Sequence, residues 1–357
     1  LWTRPDVTSS TVLWGDIHTA VVQHKDADSA VSLGYWLARR KAAVGSLSVH
    51  GIRDGINPAV VLAGLDSGAL ASLEFHRIDA IGANPAKALA PLAQLGCLTK
   101  LELRWCGIKR LPPQLSALTA LKVLDLEENR ELGGAQQAGF GPLAAVTQLT
   151  ALLLKHCELR RLPRQLSALS SSLQELDLSE NHQDLGQWVA GSMRPLDSLT
   201  ALISLNMENC GLPCIPPQLS AMGSLQELIL NINTMTYARK KAWEPLRQLT
   251  CLTSLDLFEC ELAFLPPQLS CLTAVAELNL SGNWELGRFL GRAASRRQAA
   301  GAEATNWQPL LTLGTSLTGL DFSHCTIAAL PAGFSGLSAL VTLNLSQPER
   351  AAWFQRG

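Results

Sequence analysis

The chain has 357 residues, of which 67 are leucine; 47% of all residues are hydrophobic and 17% are charged. This composition provides enough apolar side chains for a large core and excludes intrinsic disorder over most of the length. The 29 basic and 30 acidic residues leave a net charge of −1, which excludes a bulk attraction to nucleic acid or to an anionic membrane. No apolar run approaches the roughly 20 residues that span a bilayer.

The nine cysteines occur without Cys-x-x-Cys spacing. An odd number in a chain of this size favours buried, reduced thiols over a disulfide framework. We therefore expect a reducing compartment: the cytoplasm, or as an alternative the nucleus, the cytoskeleton or the cilium.

Residues 1–43 are predicted to form an N-terminal cap. They contain Trp2 and Trp14, and the stretch near Ala30–Ala43 has the apolar spacing of a helix. A repeat array needs such an element to shield its first repeat. The chain opens with Leu-Trp-Thr-Arg-Pro, without an initiator Met or a leader, so we expect it to be a piece of a longer protein.

Residues 44–348 repeat one frame, L-x-x-L-x-L-x-x-(C/N), twelve times. Self-similarity at this period identifies a leucine-rich-repeat array, an α/β solenoid predicted to form a curved horseshoe with a parallel concave sheet and short helical or irregular convex arms. Residues 349–357 are predicted to be a tail. The frames begin at Val44, Leu70, Leu98, Leu121, Leu149, Leu173, Leu202, Leu225, Leu252, Val275, Leu317 and Leu340.

Each part of the frame has a physical role. The L-x-L centre is a short strand whose alternate residues point inward, so Leu101 and Leu103 are predicted to be core while Glu102 faces outward. Stacked neighbours bury the leucines that one repeat cannot bury alone. An Asn after the strand can satisfy buried backbone groups, whereas a Cys is a small apolar substitute with a weak donor.

Short repeats of about 23 residues alternate with long ones of about 28 residues from Leu70 onward, and the last long repeat has 42. Short repeats continue as LPPQLSAL or a close variant, and long repeats continue into a Pro-Leu pair that suits the first turn of a short helix. The ladder position after the strand is Cys in the short repeats and mostly Asn in the long ones: Cys106, Cys157, Cys210, Cys260 and Cys325, against Asn129, Asn181, Asn233 and Asn283.

The segment Val12–Ile17 (VLWGDI), the WLARR helix and the following Val44–Val49 (VGSLSV) resemble the stretch after the F-box in F-box/leucine-rich-repeat proteins. The Cys-ladder LPPQLSAL repeats resemble the long arrays of green-algal proteins of this type. The family's leading Leu-Pro segment and most of its adaptor-binding helices are absent from this sequence. The resemblance implies that the intact protein is a substrate receptor of a cullin-type ubiquitin ligase, and that this chain alone does not dock to the adaptor.

Catalytic motifs are absent from the sequence, which has no G-x-x-x-x-G-K, G-x-S-x-G or H-E-x-x-H. His156 and His324 precede ladder cysteines, which suggests a Cys/His site. The periodicity of these cysteines instead indicates buried ladder residues. We expect no enzyme activity, no cofactor and no metal.

The central outward position of the twelve strands is acidic in six frames and basic in none. One interpretation is an acidic stripe that selects a basic partner. The other is that Asp or Asn in this position is ordinary repeat consensus. The residues are Ser48, Glu74, Glu102, Asp125, Leu153, Asp177, Asn206, Ile229, Asp256, Asn279, Asp321 and Asn344.

The next two outward positions vary more, as expected of a recognition surface. Trp105 is the strongest candidate because Trp and Arg are enriched at interface hot spots; the alternative is that its indole folds back over a neighbouring strand. The predicted partner-binding set on the concave face is Glu102, Arg104, Trp105, Asp125, Glu127, Lys155, His156, Asp177, Asp256, Phe258 and Asp321.

A secondary basic patch is predicted on the long arms. Residues 287–305 are expected to form a mobile insertion, and their arginines either are merely solvated or contact phosphate or acidic groups. The patch consists of Arg239, Lys240, Lys241, Arg288, Arg292, Arg296 and Arg297.

The sequence therefore predicts a monomeric, non-catalytic protein-interaction module that binds a protein partner and neither nucleic acid nor membrane. The first hypothesis is the recognition array of an F-box-type ligase receptor. The alternatives are a scaffold of a cytoskeletal or ciliary complex and a sensor domain of a larger receptor or kinase.

Overall fold

The computed structural model describes residues 19–23, 45–50, 58–63, 68–134, 137–181, 192–235, 240–286, 307–327 and 329–347. The chain divides into two compact units, Leu1–Leu173 (unit 1) and Gln174–Gly357 (unit 2). Each unit contains one parallel sheet whose strands follow the order of the chain.

The sheet of unit 1 has six strands in its described part, and the central residues Ser48, Glu74, Glu102 and Asp125 stand in register across it. The strands are β1 (Thr19–Gln23), β2 (Ser46–His50), β3 (Ser72–His76), β4 (Lys100–Arg104), β5 (Val123–Asp125) and β6 (Ala151–Leu153).

The sheet of unit 2 has seven strands in its described part, again with the central residues of the frame in register. They are β7 (Glu175–Asp177), β8 (Ser204–Asn206), β9 (Glu227–Ile229), β10 (Ser254–Asp256), β11 (Glu277–Asn279), β12 (Gly319–Asp321) and β13 (Thr342–Asn344). Every predicted frame therefore contains a strand, and the predicted leucine-rich-repeat solenoid fold is confirmed.

The returning arms are short helices, most of them 3-10. In the LPPQLSAL arms a proline opens the helix and the serine hydroxyl donates to its carbonyl, as Ser116 does to Pro113 at 2.7 Å. The α-helices are Pro58–Ala63, Asp79–Ala83 and Pro85–Ala88. The 3-10 helices are Ala90–Gln94, Pro113–Ala117, Arg130–Gly134, Gln137–Ala145, Arg164–Leu169, Arg194–Ser198, Pro217–Ala221, Lys240–Gln248, Pro267–Cys271 and Ala332–Gly336.

The core consists of the frame leucines, most of which are fully buried. The ladder Asn joins adjacent repeats: the Asn129 side chain accepts the backbone N–H groups of Cys106 and Ile108 and donates to the carbonyls of Leu103 and Leu126. The ladder Cys of a short repeat contacts the repeat before it through its thiol, as Cys106 Sγ does with the carbonyl of Phe75 at 3.5 Å.

Strand β1 lies within residues 1–43, where the frame predicts only a cap, and it pairs with β2 in parallel. Its sequence, TAVVQ, lacks the spaced leucines of the frame, so the periodicity could not locate it. The helix predicted near Ala30–Ala43 lies outside the described residues, as does the tail at 349–357.

Candidate protein-binding face

The outward side chains of each sheet form three columns that can hold a partner. The central column contains the middle residues of the strands. The flank column lies two residues further along each frame and includes Arg104 and Phe258. The corner column contains the residue directly after each flank residue. From Arg77 to His324, each described residue of this column has a positive φ. These residues are Arg77, Trp105, Glu128 and His156 in unit 1, and Glu180, Asn209, Ile232, Glu259, Gly282 and His324 in unit 2.

The central Asp and Asn residues have a structural role. Asp125 accepts the backbone N–H of Glu127 at 2.9 Å, and Asp256 accepts that of Phe258 at 3.1 Å. The same bond recurs in the other described frames that have Asp or Asn in this position, so an oxygen two residues before the flank residue satisfies its backbone amide. This contact accounts for the residue type without a partner.

The prediction that the acidic central column is exposed is wrong at Glu102 and Asp125, which are 7% and 0% exposed. The reason is Arg104, whose Nε lies 2.6 Å from Asp125 Oδ2 and 3.7 Å from Glu102 Oε2 and covers both carboxylates. Glu127 lies 3.9 Å from the same nitrogen, and Lys100 pairs with Glu102.

The pKa values of this cluster reflect burial opposed by pairing. Burial raises the pKa of Asp125, while the Glu127 amide and the Arg104 guanidinium act to lower it. Burial acts to lower the pKa of Arg104, but Asp125 and the other two carboxylates outweigh it, so this pKa is raised. Lys100, Arg104, Glu102 and Asp125 therefore form a group whose formal charges cancel.

Trp105 lies between two arginines rather than standing free. The guanidinium carbons of Arg77 and Arg130 are 5.0 and 5.6 Å from the centroid of its ring, within the range of cation–π contacts. The residue is still 39% exposed. On the next strands Glu128 lies 3.1 Å from His156 Nδ1, and Lys155 is half-buried beside them.

A second polar cluster in unit 1 was missed by the sequence analysis. Ser48 Oγ lies 2.7 Å from Glu74 Oε2 and 2.5 Å from His50 Nε2, and Nδ1 of His50 is 3.5 Å from Nδ1 of His76. Burial, His50 and Arg77 together lower the pKa of His76. His50 and His76 occupy the flank positions of adjacent frames, and this spacing in the sequence could have predicted that they lie side by side.

Unit 2 is different in character. Asp177, Asp256 and Asp321 are half-buried, and the acceptors and donors around them are amides: Asn231 and Asn344 donate to the carboxylates of Asp256 and Asp321 at 3.2 and 2.9 Å. Within the part of unit 2 that the structure describes, no basic side chain forms an ion pair with these three aspartates. Phe258 is half-buried, and exposed Ile232, which the sequence analysis did not single out, lies beside it.

The predicted basic patch falls largely outside the described residues. Arg239, Arg288, Arg292, Arg296 and Arg297 lie there, as does most of the predicted insertion. Lys240 and Lys241 begin the 3-10 helix Lys240–Gln248. The patch therefore stays a prediction.

The ladder thiols are buried and poorly suited to chemistry, since burial raises the pKa of Cys106, Cys260 and Cys325 to about 12 and also raises those of Cys157 and Cys210. Among the described residues no group of three or more His, Cys, Asp or Glu side chains is placed to hold a metal ion. In the same part of the chain no helix is long and apolar enough to cross a membrane.

No protein-family model matches the chain, but its fold is similar to that of solved leucine-rich-repeat structures. An internalin of Listeria monocytogenes matches with a TM-score of 0.53 and 20% identity over 85% of this chain and 81% of its own. A leucine-rich-repeat protein of Leptospira interrogans gives 0.52 and 20% over 85% and 78%. TLR13, in its complex with ssRNA13, gives 0.60 and 20% over 92% and 51%.

Proposed function

We propose that this chain is a non-catalytic protein-interaction module whose outward strand columns receive a protein partner. The observation that carries the proposal is the exposure of large apolar side chains among polar columns: Trp105 is 39% and Ile232 40% exposed, although the leucines beneath them are fully buried. Trp is enriched at interface hot spots, and exposed apolar side chains with polar neighbours around them are the arrangement found at interaction sites. The predicted site residues remain candidates on this surface, except that Glu102 and Asp125 are buried and pair with Arg104 instead.

Nucleic acid is the less suitable ligand. TLR13 binds an RNA in its complex, but the outward columns of unit 2 present carboxylates, which repel phosphates. A protein partner with basic groups fits the same surface without that conflict.

The finer hypothesis is a substrate receptor of a cullin-type ubiquitin ligase. It is supported by the resemblance of Val12–Ile17 and Trp36–Arg40 to the stretch after an F-box, and the similarity of fold does not bear on it. The encoded sequence upstream of Leu1 tests it: an F-box that binds the ligase adaptor is expected, and a kinase or receptor segment would contradict it.

The interaction itself is tested by capturing the native partner and measuring its kinetics with purified variants. We expect Trp105→Ala or Phe258→Ala to weaken binding at least tenfold, about 1.4 kcal/mol. Deletion of residues 288–300 is expected to change mainly the association rate and its salt dependence. If that deletion abolishes binding while both column variants bind normally, the partner uses the arms and the proposal is wrong.

A further inference from the structure

The outward columns of unit 2 contain an apolar patch formed by Ile229, Ile232 and Phe258. Ile229 stands in register with Asp256 of the next strand, and the backbone N–H of Ile232 donates to the carbonyl of Phe258 at 2.8 Å. Ile232 is 40% exposed, while Leu228, which lies beneath, is fully buried. The patch therefore lies on top of a complete core.

The backbone conformation at Ile232 is energetically less favourable for isoleucine than for asparagine or glycine. Ile232 has a φ of 55°, a region that β-branched residues rarely adopt. In the corner column Asn209 precedes Ile232, and Glu259 and then Gly282 follow it; Asn and Gly enter this region more readily than Ile does. A Cβ at Gly282 would lie 2.6 Å from Glu259 Cγ and 3.3 Å from the Phe258 ring, so only a glycine fits there without a shift of these side chains.

An open depression of about 460 Å³ adjoins the patch. Asp256, Asn279, Asp321 and Asn344 line it, and Gly319 at one side contributes no side chain. The outward positions of β7–β13 and the columns that follow them contain no Lys or Arg among the described residues. They contain nine acidic residues: Glu175, Asp177, Glu180, Glu208, Glu227, Asp256, Glu259, Glu277 and Asp321.

We propose that the patch and the depression together bind one extended, basic segment of a protein partner. An apolar side chain of the segment covers Ile232 and Phe258, and two Arg or Lys residues pair with Asp256 and Asp321. This inference rests on the proposed function and adds the chemistry of the partner. Charge complementarity selects a basic segment, because no cation in the described part of unit 2 forms an ion pair with Asp256 or Asp321.

The spacing of the two aspartates constrains the segment further. Asp256 and Asp321 lie two parallel strands apart, about 9.6 Å. In a polyproline-type extended chain, residues i and i+3 point the same way and are about 9.3 Å apart. The two basic residues are therefore expected three positions apart, with the apolar residue shortly before the first of them.

The described part of unit 1 does not offer an equivalent site. The ring of Trp105 is already in contact with Arg77 and Arg130, and Arg104 already pairs with Asp125. A basic segment would have to displace these cations. Val60→Ala is the control variant, because Val60 is an exposed β-branched residue on the arm helix Pro58–Ala63, outside the outward columns.

The probe is a fluorescently labelled peptide, Gly-Leu-Ala-Arg-Ala-Ala-Arg-Gly, titrated with the purified chain at low salt and followed by anisotropy. We expect saturable binding, at least threefold weaker binding of a peptide with adjacent arginines, and none of a peptide with Glu in place of Arg. Ile232→Asn and the double variant Asp256→Asn/Asp321→Asn should each weaken binding at least tenfold, and Val60→Ala should leave it unchanged.

Ile232→Asn also guards against misfolding, because asparagine adopts the left-handed region more easily and the variant should be at least as stable as the parent. No saturable binding, equal binding of the parent and the column variants, or an equal loss in Val60→Ala would overturn the inference. The proposed function fails separately, if the native partner is insensitive to every column variant. If binding of the native partner depends on Trp105 but the probe peptide does not bind, the proposal of a basic segment is wrong and the proposed function stands.

Discussion

The two units share one frame and differ in how their outward charges are balanced. In β2–β6 and the columns that follow, the described outward residues include four Lys or Arg, three His and five carboxylates. The first two groups are Arg77, Lys100, Arg104, Lys155, His50, His76 and His156, and the carboxylates are Glu74, Glu102, Asp125, Glu127 and Glu128. The matching positions of unit 2 hold His324 and nine carboxylates, without Lys or Arg. A near-zero net charge for the whole chain therefore conceals a neutralised surface and an acidic one.

One flank position accounts for much of this difference. Arg104 on β4 reaches the central Asp125 of the next strand at 2.6 Å, and the equivalent Asn231 after β9 reaches the central Asp256 at 3.2 Å. The geometry is the same, but only the first residue carries a charge. An Asp of the central column is thus buried in one unit and available in the other according to its neighbour.

The largest expected effect tests whether the units are energetically separate. Leu178→Ala in unit 2 and Leu103→Ala in unit 1 each remove a buried side chain (0% and 1% exposed) and should cost about 2–5 kcal/mol through cavity formation. Because repeats contact only their neighbours, hydrogen exchange should rise mainly around the altered strand. Uniform loosening of both units in either variant would contradict the comparison.

Arg104→Ala should cost about 3 kcal/mol, near the lower end for breaking a buried pair, because Asp125 stays buried without its cation while Arg104 itself is part exposed. Asp256→Asn in unit 2 should change stability by less than about 0.5 kcal/mol. Urea unfolding measures both, with Lys109→Ala as the control, because Lys109 pairs with Glu131 and both side chains are exposed. Equal effects of Arg104→Ala and Lys109→Ala would show that Asp125 does not depend on the pair.

The sequence predicts the strands and their register because a leucine period reports inward positions directly. It predicts the roles of Asn129 and Cys106 because those follow from donors and acceptors. It could not predict the burial of Asp125 or the position of Trp105 between Arg77 and Arg130. Both depend on long side chains that extend to a neighbouring strand. The repeat frame predicts the backbone position of each of these residues but not the groups that its side chain contacts.

The response to acid should also separate the units. Burial, followed by His50 and Arg77, lowers the pKa of His76, while Glu74 opposes the shift and Arg104 adds to it. A pKa lowered by folding means that the neutral form is favoured in the folded state. The stability it contributes is present above the unfolded pKa of about 6.5 and is lost as the pH falls through the folded value.

The protection of the β2–β4 amides against hydrogen exchange, corrected for the intrinsic exchange rate at each pH, should therefore decrease between about pH 7.5 and pH 5.5, and His76→Gln should remove most of that decrease. Strands β9–β11 serve as the internal reference, because their outward positions contain no histidine. An equal acid response of the parent and His76→Gln would exclude His76 as its source.

The smallest expected effect comes from transferring the unit 1 pair into unit 2. Asn231→Arg places a cation where Asn231 already donates to Asp256, and an opposite-charge cross-strand pair contributes about 0.2–1 kcal/mol. Asn231→Gln is the matched neutral control, and urea midpoints at low and high salt measure the difference, which salt should reduce. The same variant should bind the basic probe peptide more weakly, because Asp256 is then paired within the chain. If Asn231→Arg is no more stable than Asn231→Gln and binds the probe equally well, one flank residue does not explain why the two surfaces differ.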